Sequence, residues 1–242
     1  STHPFAGQVL NRLKEQGKLR IPCIGVITDY CIHPGWEDCG ALEYIVTASE
    51  LLTYVAEKKH IRPEQIAPLG IPARRRFRTK TPKDEARRAL GFDEDRGIIL
   101  IMGGSMGFGN MINNVSAVDH MDTGYQIVCI CGNNDKLRKQ LTYLKTNSPI
   151  TVRGFVDNVD AYMDAADCIV TKPGGLTVTE ALCKKLPMIL VNPIPGHEER
   201  NVEFLMNNGA AVRVSPTFSV CEAVYYITRN PERLEYMSRC IE

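Results

Sequence analysis

Short apolar, β-branched runs alternate with stretches of helical periodicity along most of the chain. In the first third, residues 24–28, 44–47 and 66–69 read as strands, and residues 5–16 as a helix. Ser49 is placed to cap a second helix running to about Lys59. A second series of strands covers residues 98–102, 126–131, 150–152, 168–170, 188–191 and 211–214. Helical patterns fall between them at residues 136–144, 159–165, 176–184 and 198–207. Strands alternating with helices predict parallel sheets joined by βαβ crossovers, so the expected fold class is α/β.

The two series meet at Gly70-Ile71-Pro72, which ends the first. A basic stretch follows, Arg74-Arg75-Arg76-Phe77-Arg78-Thr79-Lys80. Thr81 then caps a short helix with Pro82 at its first position and Gly91 as its stop. The expected division is therefore residues 1–75 as part of one α/β domain, 76–96 as a linker and 97–242 as a second domain. The basic stretch has two readings. It is a solvated linker, or it is a patch for anionic lipid or phosphate, where each basic residue contributes about 1 kcal/mol. The chain enters on a helix with no strand before it, which reads as the interior of a longer protein.

An apolar content of 44% and a charged content of 24% are ordinary for a soluble globular protein. Lys and Arg total 29 against 28 for Asp and Glu, a balance that gives no support to nucleic-acid binding. The nine cysteines form no CxxC pair; Cys31, His33 and Cys39 lie close together but lack the second half of a zinc site. They read as reduced thiols of a cytosolic protein, with no metal site and no cofactor. No apolar run approaches the roughly 18 residues that span a bilayer, and no signal peptide opens the chain.

Candidate chemistry gathers in loops that follow strands. The loop Gly103-Gly104-Ser105-Met106-Gly107-Phe108-Gly109 follows the 98–102 strand, the context of a phosphate-binding turn. It matches neither the nucleotide-triphosphatase nor the dinucleotide template. Thr171-Lys172-Pro173-Gly174-Gly175-Leu176-Thr177-Val178-Thr179-Glu180 runs from a strand through a glycine turn into a helix. Bare amides at such a helix start suit a phosphate. Glu180 then has two readings: a carboxylate for sugar hydroxyls, or the far half of a capping box with Thr177. Pro195-Gly196-His197-Glu198-Glu199-Arg200-Asn201 opens another helix after a strand, and alone it reads as a charged, solvated first turn. The three loops together sit at strand C-terminal ends, where open α/β sheets bind ligands. Gly154-Phe155 follows a strand as well, and its backbone could meet a base edge. Asp29 and His33 follow the 24–28 strand and are candidate general-base or acceptor-binding groups.

Taken together, these motifs resemble the diacylglycerol glycosyltransferases of glycosyltransferase family 28: the monogalactosyldiacylglycerol synthases and the bacterial processive glucosyltransferases. The likeness runs through Thr28-Asp29, His33, Trp36, Gly70-Ile71-Pro72, Arg74, Phe77, the 103–109 loop, Gly154-Phe155, the 171–180 motif and the 195–201 motif. The murein N-acetylglucosaminyltransferase is a more distant relative. The resemblance implies a GT-B fold of two Rossmann-like domains with parallel sheets, the first incomplete in this chain. It implies an inverting, metal-independent enzyme that moves glucose or galactose from UDP-hexose to a lipid acceptor, diacylglycerol, at the cytoplasmic face of the cell membrane, bound peripherally to its anionic surface. By the same resemblance Glu180 binds the ribose. Gly174, Gly175 and Thr177 face the diphosphate, Gly154 and Phe155 read uracil, and Gly103, Gly104, Ser105 and Pro173 count among the substrate-binding residues. Glu198 and Asn201 contact the hexose, with Gly196 and His197 among the substrate-binding residues. The family usually shows Gln where this chain has His197. Its Gly-Gly-His segment, which carries the catalytic histidine, is not among these residues, so the chain alone is expected to be inactive. Two other readings remain open: N-acetylglucosamine transfer to a polyprenyl-linked acceptor, and a donor-binding subunit of a split enzyme.

Overall fold

The computed structural model describes residues 1–50, 52, 61–104 and 110–241. Its contacts divide the chain into two compact units, Ser1–Pro72 with Pro195–Asn201, and Ala73–Ile194 with Val202–Glu242.

The first unit holds helix α1 (Pro4–Glu15) and a parallel sheet of β1 (Ile24–Val26), β2 (Tyr44–Val46) and β3 (Ile66–Ala67) in that order. Ile27, Ile32, Trp36, Cys39, Leu42 and Ile45 form its core. Gly25 is required there: a Cβ would stand 2.6 Å from the Trp36 ring, inside any real contact. The third strand is shorter than its apolar run predicts. Pro68 has no N–H to continue the ladder, and Leu69 N donates back to Ala67 O at 2.9 Å before Gly70 turns the chain at φ +85. Of the helix expected after Ser49, residues 51 and 53–60 lie outside the described residues.

In the second unit, six parallel strands take the order β6-β5-β4-β7-β8-β9. They are β4 (Ile98–Met102), β5 (Gln126–Ile130), β6 (Ile150–Arg153), β7 (Cys168–Thr171), β8 (Met188–Leu190) and β9 (Ala211–Arg213). Every residue of β4, β5 and β7 is buried, as central strands covered on both faces require. The helices are α2 (Lys83–Leu90), α3 (Met111–His120), α4 (Asp135–Thr142), α5 (Val159–Ala165), α6 (Gly175–Cys183), α7 (His197–Asn207), whose residues up to Asn201 group with the first unit, α8 (Val220–Thr228) and α9 (Pro231–Cys240). Sheet order reverses between β4 and β7: β5 and β6 extend to one side, β8 and β9 to the other.

Residues 76–96, read from sequence as a linker, are built into this second unit, which begins at Ala73. Phe77 and Ala86 are buried. Arg87 and Lys83 both pair with Asp167 at 2.7 Å, and that carboxylate also accepts from Ile98 N at the start of β4. Lys184, 1% exposed in its side chain, pairs with Asp164 at 2.6 Å and also donates to Thr79 O. Composition suggested a linker because these charges look solvated in sequence; their partners lie about eighty to a hundred positions further on. Pro82, not Thr81, takes the N-cap position of α2, and no side chain caps it.

Candidate functional site

Met102 and Thr171 pair side by side at the ends of β4 and β7, so the loops that follow them emerge together at the reversal point. This is the crevice where open α/β sheets take ligands. Gly103 is buried and Gly104 turns at φ +72; Ser105 and the rest of that loop lie outside the described residues. After β7, Pro173 leads to Gly174, which is the N-cap of α6 at φ −72 and ψ 132 with no side chain to offer. The first helical bond that follows is Val178 N to Gly174 O at 3.1 Å. The N–H groups of Gly175, Leu176 and Thr177 therefore have no acceptor within the helix, and they carry the positive end of its dipole.

That geometry separates the two readings of Glu180. Thr177 lies inside the helix rather than at its cap, and Thr179 Oγ1 donates to Gly175 O at 2.7 Å. There is no capping box here. A true one forms instead at Ser219 and Glu222, ahead of α8. Glu180 is half-buried, and no donor among the described residues reaches its carboxylate. Burial raises its pKa above the usual carboxylate value; the nearby charge of Arg74 opposes the shift, and Asp160 adds to it.

The basic stretch borders this helix. A 3-10 turn, Arg75–Arg78, packs on α6. Arg76 Nη1 donates to Asp157 O and lies 3.8 Å from Asp160 Oδ1, tying the turn to the loop between β6 and α5. Gly154 and Phe155 begin that loop, with the Phe155 ring 61% exposed. Arg74 and Lys184 are the groups here that sequence reasoning did not assign to a site. A lysine doublet at a helix end looks solvated, and nothing in the pattern marks Lys184 as the buried member.

The 195–201 segment groups with the first unit, where Glu198 is 4% and Asn201 0% exposed. Asn201 Oδ1 accepts from Tyr30 N at 2.8 Å, and its Nδ2 donates to Asp29 Oδ1 at 2.8 Å. Gly196 (φ +98) and His197 are exposed. His33 is exposed as well. Its Nδ1 accepts from Gly35 N at 3.0 Å, so in the neutral ring the proton sits on Nε2. Asp29 is half-buried beside Asn201. Among the described residues, no three His, Cys, Asp or Glu side chains gather as metal ligands.

Residues 98–242 match the model of the glycosyltransferase family 28 C-terminal domain. The chain belongs to that family. Residues 1–73 match the model of monogalactosyldiacylglycerol (MGDG) synthase. Among curated relatives, a "Processive diacylglycerol beta-glucosyltransferase" of Bacillus pumilus is 32% identical over 228 residues, covering 92% of this chain and 58% of its own. "Probable monogalactosyldiacylglycerol synthase 2, chloroplastic" of Oryza sativa subsp. indica is 37% identical over 204 residues, covering 80% of this chain and 43% of its own. The chain thus spans less than two thirds of the length of the curated relatives it matches. Among solved structures, Acinetobacter baumannii MurG aligns with 98% of this chain and 72% of its own at a TM-score of 0.64 and 19% identity. Anabaena HepE, solved with UDP, aligns with 99% and 71% at 0.64 and 13%. These likenesses establish the fold: α/β units with parallel sheets, of the GT-B glycosyltransferase type.

Proposed function

We propose that the second unit binds UDP-hexose and that the whole protein transfers glucose or galactose, with inversion, to the hydroxyl of diacylglycerol. The observation that carries this reading is the start of α6, where bare N–H groups at Gly175, Leu176 and Thr177 stand one turn ahead of the half-buried carboxylate of Glu180. The amides and helix dipole take the diphosphate, and they stabilise the charge that develops on it as the sugar leaves. Glu180 accepts from the ribose hydroxyls, and the exposed Phe155 loop supplies the surface for uracil. Binding of the diphosphate by amides needs no metal ion. The diacylglycerol acceptor is supported by the relatives named for it, and in this reading the enzyme works peripherally on the cytoplasmic membrane face. No helix among the described residues is long and apolar enough to cross a membrane.

Calorimetric titration of UDP into the purified chain, with a chelator present, tests this. Saturable binding is expected. Binding that appears only on adding magnesium or manganese removes the metal-independent site, and no binding under either condition removes the donor-site reading.

A further inference from the structure

The basic turn beside α6 is held from two sides. Arg76 ties it to the β6–α5 loop through Asp157 O and Asp160. Lys184 ties its far end to α6 itself. Lys184 directly follows the last residue of α6, and its ammonium is buried, 2.6 Å from Asp164 Oδ2 on α5. It also donates to the carbonyl of Thr79, the residue just past the turn. A buried ion pair of this kind is rarely more stabilising than apolar side chains of similar volume. What Lys184 adds over an apolar residue is direction: an N–H aimed at one backbone carbonyl. Five residues before Thr79 stands Arg74, whose charge acts on Glu180.

We propose that Lys184 is a positioning residue for nucleotide binding: by fastening Thr79 to α6 it holds the basic turn that follows Arg74 against the helix that carries Glu180. The assignment rests on the donor-site reading above. Glu180 is faced by Arg74 from the segment ahead of the 3-10 turn, by Asp160 from α5 and by Cys183 on its own helix, with Arg78 next to Cys183. Lys80, exposed, lies on the Lys184 side, where the charges of Asp164 and Lys83 act on it. Of these groups, Arg74 opposes the burial that disfavours the ionised form of Glu180. Releasing Thr79 frees the turn at that end, lets Arg74 move away, and makes Glu180 harder to ionise.

The test compares the wild-type chain with Lys184→Met and with the double variant Lys184→Met/Asp164→Leu. The single change strands a buried carboxylate and will lower the melting temperature whatever else Lys184 does. The double change removes both charges and restores a stable core, yet leaves Thr79 without its donor. UDP affinity is measured from pH 5 to pH 8 on each. The expected result is that the double variant melts close to wild type, binds UDP about tenfold more weakly near pH 6, and loses binding on acidification at a pH about one unit higher than wild type. A double variant with wild-type affinity and an unchanged acid midpoint overturns the positioning role and leaves Lys184 a packing element. A wild-type chain that does not bind UDP at any pH overturns the donor reading, and this assignment with it.

Discussion

Glu180 carries the sharpest prediction at the scale of a single residue. Its carboxyl is pushed up by burial, with Arg74 opposing and Asp160 reinforcing the shift, and it caps nothing. A folded pKa above the unfolded one means the folded chain holds this proton more tightly. The stability gained is full below the unfolded pKa and is lost as pH rises through the folded one. At neutral pH the ionised group is therefore a burden on the free protein. Glu180→Gln is expected to raise the melting temperature of the unliganded chain at pH 7.5 and to weaken UDP binding. Loss of a hydrogen bond to a charged group, about 1.5–3 kcal/mol, corresponds to roughly 10- to 100-fold. Wild-type affinity should also decline on acidification from a higher pH than an ordinary glutamate would set. Scanning calorimetry with UDP titration reads all three, and a variant that melts early yet binds normally would sink the ribose role. Asn201 behaves differently. Its amide oxygen and nitrogen are engaged with Tyr30 N and Asp29 inside the first unit. Asn201→Ala is expected to cost about 1–3 kcal/mol of that unit's stability and to leave UDP affinity unchanged. Titrating UDP and UDP-hexose side by side decides whether it also serves the sugar: a loss confined to UDP-hexose would assign it there.

Among the elements, those legible in sequence are the ones whose pattern is local. The all-apolar runs of β4, β5 and β7 name central strands because burial on both faces leaves no polar alternation. The glycine turn ahead of α6 was visible for the same reason: only backbone conformation was at stake. What sequence left open was the role of Glu180, since Thr177-Val178-Thr179-Glu180 fits a capping box unless the helix is known to start at Gly175. One turn of uncertainty in a helix boundary changes the chemistry assigned to a side chain. The partners of residues 73–96 were not legible at all. Asp167 sits three strands further on in sequence from Lys83 and Arg87, the Lys184 that reaches Thr79 lies further still, and nothing local says that they will meet. The 195–201 segment was grouped with its neighbouring strand by sequence proximity. Its packing instead follows the hydrogen bonds of Asn201 into the first unit.

At the scale of the whole molecule, the unit boundary itself is testable. If residues 73–96 belong to the second unit, a fragment beginning at residue 73 should unfold cooperatively. One beginning at residue 97 should be markedly less stable, because it loses the buried Phe77, both cations paired with Asp167 and the Thr79 carbonyl to which Lys184 donates. Loss of one buried aromatic alone costs about 3–5 kcal/mol. Urea denaturation of the two fragments compares them directly, and equal midpoints would restore the linker description.

The same pairing redefines how the chain would meet a membrane. Its formal net charge is only +1, so any attraction to an anionic surface must come from a local cluster. In the basic stretch, Arg76 is tied to Asp157 and Asp160, and further on Lys83 and Arg87 are paired with Asp167 and Arg88 with Glu94. Arg75 and Arg78 remain exposed. Each basic side chain near an anionic surface contributes about 1 kcal/mol, so removing both should weaken binding by roughly 30-fold. Sedimentation with vesicles containing phosphatidylglycerol is expected to retain the wild-type chain at low salt and to release it as salt rises, since exposed charges are screened over about 10 Å at 0.1 M. Arg75→Gln/Arg78→Gln should lose most of that binding while its UDP affinity stays within a few-fold of wild type. Equal sedimentation of the two proteins would place the membrane contact on another surface of the protein. Equal binding to neutral phosphatidylcholine vesicles would show that the attraction is apolar rather than electrostatic.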